Sequence, residues 1–248
     1  MRRVIAIAGA LVLVLATAGV GHAVLLSDLL NGGSITAGDK LFDNWALNYY
    51  DTSDPTRGFN AANIDVTALT DGGLNPGPGL SFSVSNSELT VTGDGIYAYI
   101  DLMFGYRVSV LDPTLKIKDN TLEYAIGGAY WSVTVDGSYD VGSYIREDIG
   151  SMPWQDNFGS KNIEFSTMDD PLLGGSSTSK TTDWASFAPQ SDIWVTKNIL
   201  VWAVDTADSA GVFGFDQRFS QAPVGVPEPG MLAMLALGGI ALLRFKRS

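Results

Sequence analysis

The sequence contains no cysteine and a single histidine, His22. Without cysteine, disulfides, cysteine nucleophiles and thiolate metal sites are excluded. Because His22 lies in a leading segment that we expect to be removed, the folded part has no histidine base and no Ser-His-Asp triad. A domain of this size without disulfides has to be stabilised by a hydrophobic core.

Basic residues are also scarce, at 15 against 27 acidic residues. Five of the basic residues and one acidic residue lie in the terminal segments, so residues 24–226 hold 10 basic and 26 acidic residues, a formal charge of −16. A body with this charge repels nucleic acid and anionic lipid headgroups. Nucleic acid is therefore excluded as a partner.

The first long apolar run follows a short basic start, Met1 to Arg3, and extends from Val4 to Ala18. Small residues follow, and His22 is succeeded by Ala23. This order is typical of a secretory signal peptide over residues 1–23, cut by a signal peptidase between Ala23 and Val24. The apolar run is shorter than the roughly 20 residues that a membrane-spanning helix requires.

The second apolar run, Gly230–Leu243, lies near the C-terminus, after Pro227-Glu228-Pro229. As a helix it would be about 21 Å long, against about 30 Å for the hydrocarbon core of a bilayer. The basic residues that follow it are expected to stay on the cytoplasmic side; they are Arg244, Lys246 and Arg247. The segment 227–248 is therefore interpreted as a transient membrane anchor.

The proline-glutamate-proline motif, the short apolar helix and the terminal basic cluster, in this order, resemble the PEP-CTERM sorting signal. This resemblance implies recognition by an exosortase, a membrane cysteine protease-transpeptidase of Gram-negative bacteria that make extracellular polysaccharide. It further implies export, a transient stay in the inner membrane, and a final place at the cell surface or in the extracellular matrix.

The residues between the two ends read as short alternating runs bounded by glycine, asparagine, aspartate and proline, with no sustained helical stripe. These features predict an all-β fold: a single antiparallel β-sandwich, jelly-roll-like, over residues 24–220, followed by a linker over 221–226. Gly174–Thr182 is predicted to be a surface loop. The predicted strands are Leu80–Ser85, Glu88–Thr92, Ile96–Val110, Leu115–Leu122, Ala129–Val135, Asn162–Ser166, Ile193–Val204 and Val212–Phe219.

Tryptophan is the residue type that most directly suggests a ligand, because indole rings stack on sugar faces. Trp154 and Trp184 lie in loop-like sequence and are the candidate sugar-stacking residues. Trp131, Trp194 and Trp202 lie in strand-like runs and are predicted to be core residues.

The acidic residues are concentrated in turns, where aspartate bonds to nearby backbone amides. We expect no cofactor and no catalytic residue. A calcium ion remains an alternative, with Asp136 and Asp140, or Asp205 and Asp208, as the nearest candidate ligands.

The primary interpretation is a non-enzymatic, exported surface or matrix protein. The first alternative is a carbohydrate-binding module for exopolysaccharide. The second is a glycan hydrolase, which would need two carboxyl groups about 5 to 9.5 Å apart.

Overall fold

The computed structural model describes residues 23–125, 140–168, 175–206 and 208–224. Within these ranges, one short helix, α1 (Leu26–Leu30), and one 3-10 turn (Ala61–Asn63) accompany the strands. The strands are β1 (Val24–Leu25), β2 (Ile35–Ala37), β3 (Lys40–Thr52), β4 (Ile64–Leu69), β5 (Gly79–Val84), β6 (Thr90–Thr92), β7 (Ala98–Val110), β8 (Leu115–Tyr124), β9 (Asp140–Gly150), β10 (Gly159–Met168), β11 (Ser176–Lys180), β12 (Thr182–Gln190), β13 (Asp192–Ala203), β14 (Ser209–Gly211), β15 (Gly214–Arg218) and β16 (Gln221–Pro223).

The strands form two seven-stranded sheets and a two-stranded ribbon of β6 and β14. The first sheet has the order β1-β4-β5-β15-β8-β12, with β16 also paired to β8. The second has the order β11-β10-β9-β13-β7-β3-β2. Neighbouring strands pair antiparallel throughout these orders. The predicted antiparallel β-sandwich is confirmed.

The core lies between the two sheets and follows from the period-two alternation of the long central strands. In β7, Ile100, Leu102 and Phe104 are buried, while the residues between them lie on the other side of the sheet. From the facing sheet, Phe82 and Phe215 stack on each other with ring centres 4.5 Å apart. Successive strand residues point to opposite faces, so one face fills the core and the other is free for a different use.

Two predicted boundaries are wrong. Ser176–Lys180, within the segment predicted as a loop, forms β11 and pairs with β10. The predicted linker begins too early, because Gln221–Pro223 forms β16 and pairs with β8, and Gln221 is buried. In both places, backbone hydrogen bonds to a neighbouring strand form a strand from a segment whose side chains show no strand pattern.

Within the four described ranges, no helix is long and apolar enough to cross a membrane. The predicted apolar helices Val4–Ala18 and Gly230–Leu243 both lie outside those ranges, as does the predicted strand Ala129–Val135.

Candidate functional site

The outer face of the second sheet, called here the aromatic face, is rich in aromatic and polar side chains. On β7 and β13 its residues alternate with core residues, and the register with β3 brings Tyr49 and Asp51 beside them. They are Tyr49, Asp51, Tyr99, Asp101, Met103, Arg107, Trp194, Asn198 and Trp202.

An apolar pocket of about 160 Å³ opens on this face. Trp154, from the loop between β9 and β10, covers it from above, and the absence of a side chain at Gly105 makes room for the indole. A Cβ atom added at Gly105 would lie 3.3 Å from Cζ3 of Trp154. The lining residues are Asn44, Ala46, Gly105, Pro153, Trp154, Trp194, Val195 and Thr196.

Two lining residues have left-handed backbone conformations that side-chain-bearing residues rarely adopt. The φ angle is 64° at Trp154 and 53° at Asn44. For a bulky residue such as tryptophan this is costly, and such strain concentrates at functional sites. Asn44 lies where the register of β3 shifts against β7, between Asp43 and Ala46. Such a bulge re-aims the side chains around it.

A polar rim adjoins the pocket on β3 and β7. Arg107 donates two hydrogen bonds to Asp43, from Nε at 3.0 Å and from an Nη atom at 2.8 Å. This bidentate geometry fixes both planar groups while part of each remains exposed. The rim therefore offers a guanidinium and a carboxylate to a ligand seated in the pocket.

A second polar group is centred on Asp101, four residues from Gly105 along β7, which is about 13 Å at about 3.3 Å per residue. Asp101 accepts hydrogen bonds from the Tyr49 hydroxyl and, at 2.7 Å, from Asn198 Nδ2. Its cross-strand partner Asp51 accepts one from Tyr99 at 2.9 Å. Burial, and then Asp101, raises the pKa of Tyr49, while the hydrogen bond to Asp51 is the main cause of the raised pKa of Tyr99. Both phenols therefore stay protonated near neutral pH.

The two predicted stacking residues do not meet. Trp154 lies on the aromatic face and is 42% exposed, whereas Trp184 lies on β12 of the first sheet, opposite Thr121, and is 68% exposed. They therefore cannot form one platform.

Two of the predicted core tryptophans are instead half-buried residues of the aromatic face, namely Trp194 and Trp202. The sequence does contain a signal for this, because β13 places apolar residues such as Ile193 and Val195 at odd positions and both tryptophans at even ones. Among the tryptophans that the structure describes, Trp45 is the buried one, and it stacks on Tyr106 with ring centres 4.2 Å apart.

Several predicted sites fall outside the described residues. The sorting motif Pro227, Glu228, Pro229 and the basic residues Arg244, Lys246, Arg247 are among them, as are Trp131 and Asp136. Of the predicted signal cleavage pair, Ala23 is exposed and Val24 begins β1, opposite Val66 of β4. Within the described ranges, no group of three or more acidic or histidine side chains that could hold a metal ion is found.

No protein-family profile matches this sequence. No curated protein matches it either. Among solved structures, it is similar to the carbohydrate-binding module TmCBM61 in complex with β-1,4-galactotriose, at 11% identity over 73% of this chain and 88% of that one, with a TM-score of 0.23. It is also similar to the mannan-recognising module TmCBM27, at 10% identity over 73% and 99% of the chains and a TM-score of 0.26. A third similarity, to the enzymatically active domain of tailspike protein 4 of bacteriophage CBA120, has 12% identity over 73% and 19% and a TM-score of 0.20. At TM-scores this low the similarity does not identify a function.

Proposed function

We propose that the body of this protein is a non-enzymatic polysaccharide-binding domain and that the aromatic face is its binding surface. The observation that carries the proposal is the position of Trp154, exposed and held in a strained conformation above an apolar pocket. A surface indole kept in place at a cost in backbone energy is better explained by a ligand than by packing.

The chemistry of the face matches that of a sugar. A pyranose presents an apolar face of C–H groups and an edge of hydroxyls. The indoles of Trp154 and Trp194 offer the apolar partner. The Arg107–Asp43 pair offers donors and acceptors at the edge. Apolar lining with a few fixed polar groups is the general pattern of small-ligand sites.

The distance from the pocket to the second polar group favours a chain over a single sugar. From Gly105 to Asp101 along β7 is about 13 Å. Between them, the half-buried side chains of Met103 and Asn198 continue the surface. A polysaccharide chain laid along β7 would contact the pocket, these residues and Asp101 in turn.

Export and sorting belong to the same proposal. Arg2 and Arg3 before the first apolar run, together with Ala23 at the cleavage position, support export followed by cleavage by a signal peptidase. The proline-glutamate-proline motif around Glu228 supports processing by an exosortase. A polysaccharide-binding body delivered to the surface of a polysaccharide-producing cell would attach to that cell's own matrix.

The test is binding of the purified body to the exopolysaccharide of the producing cells, measured by isothermal titration calorimetry. Trp154→Ala should weaken binding about fivefold, because one aromatic contact contributes on the order of 1 kcal/mol. Trp184→Ala is the matched control: it removes an even more exposed indole from the other sheet and should leave the affinity unchanged.

Equal loss of affinity in both variants, or no binding by the wild type at millimolar sugar, would overturn the proposal. Release of reducing ends from the same polysaccharide would favour the hydrolase alternative. Its carboxyl groups would then be Asp51 and Asp101, which face each other across β3 and β7.

A further inference from the structure

A charged cluster with no exposed surface crosses the core of the sandwich. Lys161 on β10, Glu147 on β9 and Lys197 on β13 are cross-strand neighbours, so they form one row on the inner face of the second sheet. Both lysines donate to the Glu147 carboxylate, one to each oxygen. Asn120, also fully buried, reaches the row from β8 of the facing sheet.

The row is unbalanced in charge, because two lysines share one glutamate. An uncompensated ammonium is costly in a protein interior, so one lysine is driven toward its neutral form. Burial lowers the pKa of Lys161, an effect that Glu147 only partly offsets. A neutral lysine amine is a nucleophile.

An electrophile lies in contact with that amine. Lys161 Nζ donates to Oδ1 of Asn120, so the side-chain amide carbon is one bond away from the contact. The Nδ2 atom of Asn120 is buried and has no hydrogen-bond partner within the described part of the chain. An unpaired buried amide nitrogen is destabilising, and it would be lost as a leaving group in acyl transfer.

We propose that Lys161 and Asn120 form an intramolecular isopeptide bond, with Glu147 as the proton-transferring catalytic residue. The lone pair of Lys161 Nζ forms a bond to Cγ of Asn120. Glu147 takes a proton from Nζ and delivers a proton to Nδ2. The Cγ–Nδ2 bond then breaks, its electron pair leaves with nitrogen, and one ammonia is released. No oxidant, metal or cofactor is needed.

Formation of the bond removes both destabilising features of the row, namely the excess positive charge and the unpaired amide nitrogen of Asn120. Acylated Lys161 carries no charge, so Lys197 and Glu147 remain as a balanced pair. The unpaired Nδ2 atom of Asn120 has left as ammonia. The bond joins β8 to β10 and thus links the two sheets covalently, in a chain that has no cysteine for disulfides.

Two features of the buried row accelerate the reaction: the reacting groups are held in contact, and water is excluded from them. Reactants held in contact by three rigid strands react as if at very high local concentration. The low dielectric of the core strengthens the interaction of Glu147 with the migrating proton. A surface pair of the same two residue types lacks these conditions: Lys180 Nζ lies 3.2 Å from Oδ1 of Asn162, but the lysine side chain is 41% exposed.

The test is mass spectrometry of the purified, folded wild type. The intact mass should be lower than the sequence mass by one ammonia. Because a cyclised asparagine would lose the same mass, the deciding result is a branched tryptic peptide that joins the Asn120 segment to an uncleaved Lys161. No branch should join Lys180 to Asn162, which serves as the internal control.

Two variants complete the experiment. Asn120→Ala removes the electrophile, and Glu147→Gln keeps the reacting pair but removes the proton carrier; both should show the full mass and no branched peptide. A free Lys161 in the folded wild type would overturn the bond. A branched peptide in Glu147→Gln at the wild-type level would overturn the role of Glu147.

Discussion

Lys197 lies in an unusual environment for a cation, beside a stacked pair of aromatic rings of the facing sheet. Its Nζ is 5.0 Å from the ring centre of Phe215 and 5.6 Å from that of Phe82. Burial lowers the pKa of Lys197 to about 8; Glu147 opposes this shift and Lys161 adds to it. The ring contacts stabilise the cation in part, since desolvated cation–π pairs contribute about 2 kcal/mol.

The variant Asn120→Ala should show a pH dependence of stability. Without Asn120 the proposed bond cannot form, so Lys161 and Lys197 both keep their free amino groups. The folded pKa of Lys197, about 8, is below its ordinary value of 10.5. The unfolded chain therefore binds more protons between these values, and the free energy of unfolding rises with pH across that window. From pH 8 to 9.5 the rise should be about 2 kcal/mol, measured by guanidinium unfolding.

The titratable groups that act on Lys197 are Glu147 on β9 and Lys161 on β10, and the phenol of Tyr106 on β7 in turn interacts with Glu147. Burial raises the pKa of Tyr106, so this phenol stays neutral in the window and does not offset the effect. Asn120→Ala with Lys197→Met is the control and should show a smaller rise, because Lys161 then has Glu147 to itself. A fall in stability between pH 8 and 9.5 would contradict the assignment.

At the scale of the strand, the central strands were predictable and several others were not. The run Ile96–Val110 shows clear alternation and became β7. In β9 the inward positions include Ser143 and Glu147, which interrupt the apolar period, so no strand was predicted there. β11 is polar at every position and is held by its backbone pairing to β10.

The candidate site was only partly predictable for the same reason. Trp154 could be selected as a loop indole. Its contact with Gly105 could not be predicted. This contact joins the loop after β9 to the middle of β7, and it depends on the three-dimensional fold rather than on any local sequence pattern. The buried row was also hidden, since Asn120, Glu147 and Lys161 read as ordinary polar residues along the chain.

Gly105 gives a prediction at this scale, because its missing side chain shapes the pocket between β7 and the loop. In Gly105→Ala the Cβ would lie 2.8 Å from Val195 O and 3.3 Å from Trp154 Cζ3, so the indole has to move. Polysaccharide affinity should fall about as far as in Trp154→Ala, roughly fivefold, in the same calorimetric assay. Gly58→Ala is the control, because its added Cβ meets nothing within 4 Å. Wild-type affinity in a folded Gly105→Ala variant would place the binding surface elsewhere.

At the scale of the whole molecule, the proposed bond in the buried row would give a chain without cysteine the covalent cross-link that disulfides give other proteins. Lys161 and Asn120 are 41 positions apart in sequence. If the chain-entropy treatment of disulfides is applied to a ring of that size, the cross-link stabilises the fold by about 4 kcal/mol. If the body is exported as proposed, a bond of this kind would also slow its unfolding in a place without chaperones.

Under the sorting hypothesis, the two chain ends would determine where this body acts, and processing of the tail would depend on Glu228. Because proline cannot donate a backbone hydrogen bond and has a fixed φ, Pro227 and Pro229 would, under this hypothesis, hold the chain out of a helix just outside the bilayer. Glu228 between them would then be a charged group on a rigid segment that a membrane protease could recognise. If the segment were only a linker before a simple anchor, Glu228→Ala would change neither size nor location, because the apolar helix and the basic cluster persist.

Under the sorting hypothesis, Glu228→Ala should accumulate in the inner membrane as a precursor that keeps its tail, while the wild type is processed and leaves. Fractionation of the native host and mass measurement of both forms distinguish these outcomes. Glu123→Ala, which changes an exposed glutamate of β8 in the body, should be processed like the wild type. Identical processing of the Glu228→Ala variant and the wild type would refute the sorting role, because the apolar helix alone would then account for the membrane stage.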